Sequence, residues 1–402
     1  MDKMTIKDVE VAGKRVLVRV DFNVPLDLKT GEITDDSRIK ATLPTIRYLI
    51  EREARVILMS HMGRPKGKFV KELSLAGVAR RLSQILGQPV KMAPDCIGPE
   101  VEKSVAALTS KDVLLLENLR FYPDEENGST SFAEALARLG DLFVNDAFGT
   151  SHRAHASISV IAKYLPAVAG FLLEKEISFL GRTLENPARP FAALVGGAKI
   201  SDKVKMLERI GNIVDYLIIG GGMAGTFLKA QQYEIGKSLF EPNHMELVTK
   251  LLKKAGENHL KIFTPSDVVV ADRIDSTENQ VVLINNIPAE KMIVDIGPQT
   301  VKEFSEALKI CKTVFWNGPM GVYEYPQSQT GTHAMATLLA GLEATTVIGG
   351  GSTAEVVTEM GLADKMTFVS TGGGASMSFV SGEKLPGVEA LMDKKAPNRT
   401  PL

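Results

Sequence analysis

One pattern recurs along the whole chain: a short, continuously apolar run, then glycine or polar residues, then a helical periodicity. In the first half the runs are RVLVRVDFNVP, ARVILMSHMGRP, DVLLLENLRF and DLFVNDAFGTSHR. In the second they are FAALVGGAKIS, DYLIIGGGMAGTF, TVFWNGPMGVYE, TTVIGGGSTAEVV and MTFVSTGGGASMS. Runs that do not alternate with polar residues suit strands buried on both faces, as in parallel sheets covered by helices. Helical stretches such as LSLAGVARRLSQIL and VTKLLKKAGE lie between them. The pattern predicts α/β layers with helices on both sides of each sheet.

At 402 residues the chain suits two such domains. Two doubly wound, Rossmann-like parallel-sheet domains joined by a helix and hinge are expected. Within 170–190, GFLLEKEISFLGRTLENPARP, apolar Leu172, Leu173, Ile177, Leu180 and Leu184 recur at helical spacing before Pro187 and Pro190. This predicts a helix from about Leu172 to Leu184. The expected division is a first domain over 1–170, a connecting helix over 171–186 and a second domain over 187–380. A terminal segment, 381–402, is expected to pack back on the first domain.

A net charge of −1 offers no global field for nucleic acid or an anionic membrane, so any anion site must be a local concentration of cations. Cys96 and Cys311 lie far apart without metal-type spacing, which fits a reducing compartment better than a disulfide scaffold. The opening MDKMTIKDVEVAGKR lacks the apolar core of a signal peptide, and ISVIAKYLPAVAGFLL is broken by Lys163 and Pro166. A cytoplasmic protein is expected.

Ligands of such sheets bind beyond the carboxyl ends of the strands. Those ends differ between the halves. The first carries Arg38, His61, Arg64, Arg120, His152 and Arg153 in DDSRI, SHMGRP, NLRF and TSHRAH. Converging guanidinium groups suit phosphate and carboxylate, whereas a metal is disfavoured because His61, His152 and His155 lack ligand spacing. RVDFNVP places Arg19, Asp21 and Asn23 on one side of a strand by period 2, as a strand-end turn or as groups that bond a polar substrate.

The second half carries the glycine clusters GGGMAG, GGGST and TGGGAS, each before a helix start, where free N–H groups could cradle an anion. LVGGAKISDKV adds Lys199 and Lys203, four apart and expected on one face at a helix N-terminus, where cations are disfavoured unless an anion arrives. Asp202 is the alternative partner. GGGMAG alone also fits a dinucleotide fingerprint, with Glu241 as the only available ribose acid. No Walker, HRD or DFG pattern occurs in the chain.

Taken in order, RVDFNVP, SHMGRP, ENLRF, VNDAFGTSHRAHAS, GGAKISDKV, IIGGGMA, WNGPMGVYE and STGGGAS resemble phosphoglycerate kinases from about residue 5 to KLPGVEAL. The resemblance implies a glycolytic enzyme moving a phosphoryl group between 1,3-bisphosphoglycerate and ADP, with Mg²⁺ accompanying the nucleotide. It places the glycerate on the first domain at Asp21, Phe22, Asn23, Arg38, His61, Met62, Gly63, Arg64, Arg120 and Arg153. The nucleotide falls on Lys203, Gly221, Gly222, Asn317, Pro319, Glu324, Gly350, Gly351, Ser352 and Thr353. Arg38, Lys199, Lys203, Gly373 and Gly374 would surround the phosphoryl group in flight.

The chemistry agrees, since a carboxylate nucleophile is ionised at neutral pH and needs no general base. In-line alignment, charge cancellation and exclusion of water on domain closure would suffice. Two residues depart from the family pattern: Ser352 stands where an acid is usual, so no protein ligand for the metal is assigned, and Ser378 replaces another acidic position. The family also implies a monomer. Two rivals remain: a nicotinamide-dependent dehydrogenase and a clamp that binds a phosphate ester without reacting it.

Overall fold

The computed structural model describes residues 2–27, 29–257 and 260–394. The chain divides into two compact units, residues 1–178 with 384–402, and residues 179–383. The boundary falls inside the helix Phe171–Glu185. That helix extends the expected span by one residue at each end. Of the terminal segment expected over 381–402, residues 395–402 lie outside the described residues.

The first unit holds a sheet of β1 (Arg15–Arg19), β2 (Arg55–Met59), β3 (Val90–Met92), β4 (Val113–Leu115), β5 (Leu142–Asn145) and β6 (Ala167–Ala169). The strands run parallel in the order β3-β4-β2-β1-β5-β6. Val16, Leu17 and Val18 of β1 are wholly buried, as a strand covered on both faces requires. Successive connections move from β1 towards β3 and then reverse to β5, so a crevice opens beyond the carboxyl ends of β1 and β5. Near this crevice the backbone of the C-terminal segment is bound: Asn145 Nδ2 donates to Gly387 O at 2.9 Å and Gly387 N to Ser151 O at 2.9 Å.

The second unit repeats the plan with β7 (Phe191–Val195), β8 (Tyr216–Ile219), β9 (Lys261–Phe263), β10 (Asp267–Ala271), β11 (Gln280–Leu283), β12 (Met292–Ile296), β13 (Thr313–Asn317), β14 (Thr345–Gly349) and β15 (Phe368–Val369). Its parallel sheet has the order β15-β14-β13-β7-β8-β9, which puts the reversal between β7 and β13. A three-stranded antiparallel sheet, β11-β10-β12, accompanies it. The apolar-run pattern did not reveal that sheet, because β11 is an edge strand with Val281 and Leu283 half exposed.

Two local expectations are corrected. The strand carrying RVDFNVP ends at Arg19, and the chain then turns, with Val24 N donating to Phe22 O at 2.8 Å. Period 2 therefore does not relate Arg19 to Asp21 and Asn23. Nor do Lys199 and Lys203 share a helical face, because the helix begins only at Val204 with Lys203 as its N-cap. The residues before it form turns, in which the Glu241 carboxylate accepts from Ile200 N and Ser201 N. Lys199 is left exposed while Lys203 is buried. Arg38, for its part, lies in the first turn of the helix Ser37–Glu51 and not at a strand end.

Candidate active site

In the first unit the loops after β1, β2 and β4 carry Asp21–Asn23, His61–Arg64 and Arg120. Arg38 Nη1 donates to Asp21 Oδ2 at 2.6 Å. Arg120 is buried and donates Nη1 to Gly63 O at 2.8 Å, while its Nε lies 3.2 Å from Glu126 Oε1. Asn23 Oδ1 accepts from Gly63 N at 2.8 Å, tying the β1 and β2 loops together. Phe22 N donates to Ser60 Oγ at 2.9 Å, and Met62 N donates to Asn118 Oδ1 at 3.1 Å. These bonds fix the backbone that carries the charged side chains. Arg64 is exposed and Arg153 half-buried, its Nε 3.3 Å from His152 Nε2.

Charge in this unit is concentrated on one point. Burial, and then the positive charges of Arg19, Arg120, Arg38 and Arg153, hold the His61 imidazole well below its usual range. His155 is pushed down to about 4 by burial and by Arg153, Arg120 and Arg19. Four guanidinium groups acting on neutral rings give this region a positive character that suits an anion.

The second unit is built differently. Lys203 is buried, and burial lowers its ammonium pKa from 10.5 to about 8, with Asp202 only partly opposing the shift. Asp202 is thus a partial counter-charge and not a full one. The Lys203 ammonium donates to Asn317 Oδ1, and Asn317 Nδ2 donates to Gly349 O at 2.9 Å. Thr353 Oγ1 accepts from Gly318 N at 2.7 Å. Lys203, Asn317 and Thr353 are thereby joined across the ends of β7, β13 and β14, at the reversal in strand order.

Not all the glycine clusters leave N–H groups open. Gly197 N donates to Pro319 O at 2.8 Å and Gly221 N to Met320 O at 2.9 Å. These glycines serve close approach of three strand ends: a Cβ on Gly221, which sits at φ +66°, would lie 2.6 Å from Gly197 N and O. Gly221→Ala should therefore cost about 2 kcal/mol or more of stability. Urea melts would read the loss; an unchanged midpoint would show that the turns can part.

Gly350 is different, an N-cap at φ 94° that opens the helix Gly351–Glu359. The N–H groups of Gly351, Ser352 and Thr353 begin that helix and have no intrahelical acceptor. Gly373, at φ 48°, opens the helix Gly374–Val380 in the same way. That helix packs on Val204–Ile210, where Arg209 Nη1 donates to Phe379 O at 3.0 Å. Glu324 is exposed in the loop after β13. Glu241, the acid that a dinucleotide reading needed, is already used by the backbone of Ile200 and Ser201.

Reading single loops missed Arg19, Glu125 and Ser157. All three are buried in the first unit, and only the period-2 pattern of RVDFNVP includes one of them, Arg19.

The phosphoglycerate kinase family model matches residues 6–383. A phosphoglycerate kinase of Pelotomaculum thermopropionicum is 53% identical over 395 residues, covering 98% of this chain and 100% of the relative. One of Moorella thermoacetica is 52% identical with the same coverage. The solved phosphoglycerate kinase of Coxiella burnetii superposes with a TM-score of 0.85 at 40% identity, over 96% of this chain and 98% of that one. That of Pyrococcus horikoshii OT3 does so at 0.83 and 33%, with the same coverage. Sequence over nearly the full length and fold thus agree, and the chain belongs to the phosphoglycerate kinase family.

Proposed function

We propose that the reaction of this family, exchange of the acyl phosphate of 1,3-bisphosphoglycerate with ADP, is divided between the units by charge. The first unit takes the three-carbon acid. Asp21, Asn23 and the backbone of Phe22, Met62 and Gly63 set its orientation. Arg38, His61, Arg64, Arg120 and Arg153 meet its carboxylate and phosphate. The observation that carries this reading is the convergence of Arg19, Arg38, Arg120 and Arg153 on His61.

The second unit takes the nucleotide. Lys203 and the open N–H groups of Gly351, Ser352 and Thr353 suit its phosphates, as a helix N-terminus does. Gly221, Gly222, Asn317 and Pro319 shape the floor, and Glu324 is free to bond ribose hydroxyls. Arg38, Lys199, Lys203 and the N–H groups of Gly373 and Gly374 neutralise the transferred PO₃ group. The attacking carboxylate is ionised at neutral pH, so no side chain need act as a base. Water must be excluded and the two reactants held in line.

Mg²⁺ belongs to this reading with a restriction. Among the described residues no three His, Cys, Asp or Glu side chains converge as a metal site, and Ser352 offers no carboxylate. The protein therefore does not fit as a cage, and the ion would come with the phosphate oxygens of the nucleotide and water. No helix among the described residues is long and apolar enough to cross a membrane. Cytoplasmic, monomeric action is the reading that the family resemblance supports.

The test is oxidation of NADH on adding 3-phosphoglycerate and MgATP, coupled through glyceraldehyde-3-phosphate dehydrogenase. Turnover is expected. Binding of the acid without turnover would favour a clamp, and tight NADH binding by the protein alone would favour a dehydrogenase.

A further inference from the structure

Arg19 is 1% exposed, and among the described residues no carboxylate oxygen lies within ion-pair distance of it. Burying a guanidinium costs several kcal/mol unless its donors are satisfied, so this residue calls for a reason. Its donors go in three directions. Nε donates to Ser157 Oγ at 2.9 Å, Nη1 donates to Val20 O, and Nη2 points at His61 Nδ1 at 3.2 Å. Behind it Ser157 Oγ donates to Glu125 Oε1 at 2.6 Å and Ser157 N to Glu125 Oε2 at 3.0 Å. Glu125 is itself 1% exposed. A continuous buried chain thus runs Glu125, Ser157, Arg19, His61.

The direction of the bond to His61 is forced. Guanidinium has donors only, so Nδ1 of His61 must accept and cannot carry a proton. The competing acceptor for an Nδ1 proton is Asp21 Oδ1, but at 4.0 Å it is beyond hydrogen-bond reach. Asp21 is instead engaged by Arg38 at 2.6 Å. The imidazole proton therefore sits on Nε2, which among the described residues has no protein hydrogen-bond partner, in a residue that is 3% exposed.

We infer that Arg19, seated by Ser157 and Glu125, is a positioning residue that holds His61 in its Nε2–H tautomer as a neutral donor to the acid substrate. The inference rests on the reading that the first unit takes that acid. The arginines facing His61 all act in the same sense. Arg19 contributes from β1, Arg38 from the helix Ser37–Glu51, Arg120 from the loop after β4, and Arg153 from the loop after β5; each disfavours a charged imidazole. Asp21, whose Oδ1 lies 4.0 Å from Nδ1, opposes them, while Glu125 Oε1 lies 3.9 Å from His155 Nδ1. A fixed neutral donor keeps substrate affinity independent of histidine titration, which a freely ionising histidine would not.

Two measurements test this on the full chain. In ¹⁵N-histidine spectra of the ligand-free protein, with His61 assigned by His61→Gln, a bare Nδ1 and protonated Nε2 are expected throughout pH 5–8. An Nδ1–H tautomer, or a titration midpoint inside that window, overturns the inference. Arg19→Met alone would strand the Glu125 carboxylate, so the variant to make is Arg19→Met with Glu125→Gln; Ser157→Ala, which keeps every charge, is the second.

In the double variant His61 gains freedom to titrate. The KM for 3-phosphoglycerate should rise roughly fivefold at pH 8 and recover towards pH 6, as imidazolium donates from both nitrogens. The KM for ATP should not move. A merely structural defect raises KM equally at every pH, and that outcome also overturns the inference. The expected tautomer with an unchanged KM in both variants would instead overturn the placement of the acid beside His61.

Discussion

Replacing Arg38 with alanine should lower kcat by about 10²- to 10³-fold, the size typical of losing one donor aimed at developing charge. The ADP dissociation constant should move less than about twofold. Arg38 engages Asp21 through one nitrogen at 2.6 Å, and its side chain is 37% exposed. The remaining N–H donors are thus free for an anion, and Asp21 holds the fork in place. A pair this exposed contributes about 0–1 kcal/mol to stability, so the variant should fold normally and isolate chemistry from folding. Arg38→Lys should recover only part of the rate, since a point charge cannot reproduce a planar fork. Steady-state kinetics with calorimetric ADP titration would decide it. Unchanged turnover in Arg38→Ala removes Arg38 from the transfer.

Lys203→Met should act on the other reactant. Loss of a charge-assisted contact to phosphate is worth about 1.5–3 kcal/mol, roughly 10- to 100-fold in ADP affinity, with a fall in kcat besides. Burial lowers the free enzyme's Lys203 pKa to about 8, so the wild-type protein should lose ADP affinity as pH rises through that value. The variant should lack this alkaline limb. Linkage supplies a second signature: between about 8 and the ordinary 10.5 the unfolded chain holds the proton more tightly than the folded one. The contribution of Lys203 to stability therefore rises with pH across that window and is absent from the variant. At neutral pH, removing a buried amine without a full counter-charge should leave the melting temperature equal or higher. Retained ADP affinity, or the same alkaline limb in the variant, would take Lys203 out of the phosphate site.

Much of the architecture could be read from the chain because the signal is local. Runs such as RVLVR and FAALV are apolar without alternation, and they became β1 and β7, buried on both faces. The spacing of Leu172, Leu173, Ile177, Leu180 and Leu184 found the helix Phe171–Glu185 to within one residue at each end. The short strands β3, β6 and β9 and the antiparallel β10–β12 sheet were missed. Three to five residues carry too little periodicity, and an edge strand such as β11 carries polar and apolar residues without a buried face to sort them.

Side-chain environments were legible only in part. Lys199 and Lys203 look alike in GGAKISDKV, yet one is exposed and the other buried against Asn317, 114 positions further along the chain. The glycine clusters also look alike, but Gly197 and Gly221 have spent their N–H groups on Pro319 and Met320 while Gly351 has not.

The order of residues alone determined two parallel α/β layers, a helical connection, and which half carries cations and which glycines, because each rests on neighbours along the chain. Only the tertiary structure decided that Arg19 is sealed inside, that Ser157 and Glu125 stand behind it, and that a histidine nitrogen must accept from it. Burial and hydrogen-bond direction are set by segments far apart in sequence, and no single stretch contains all the partners of a buried charge.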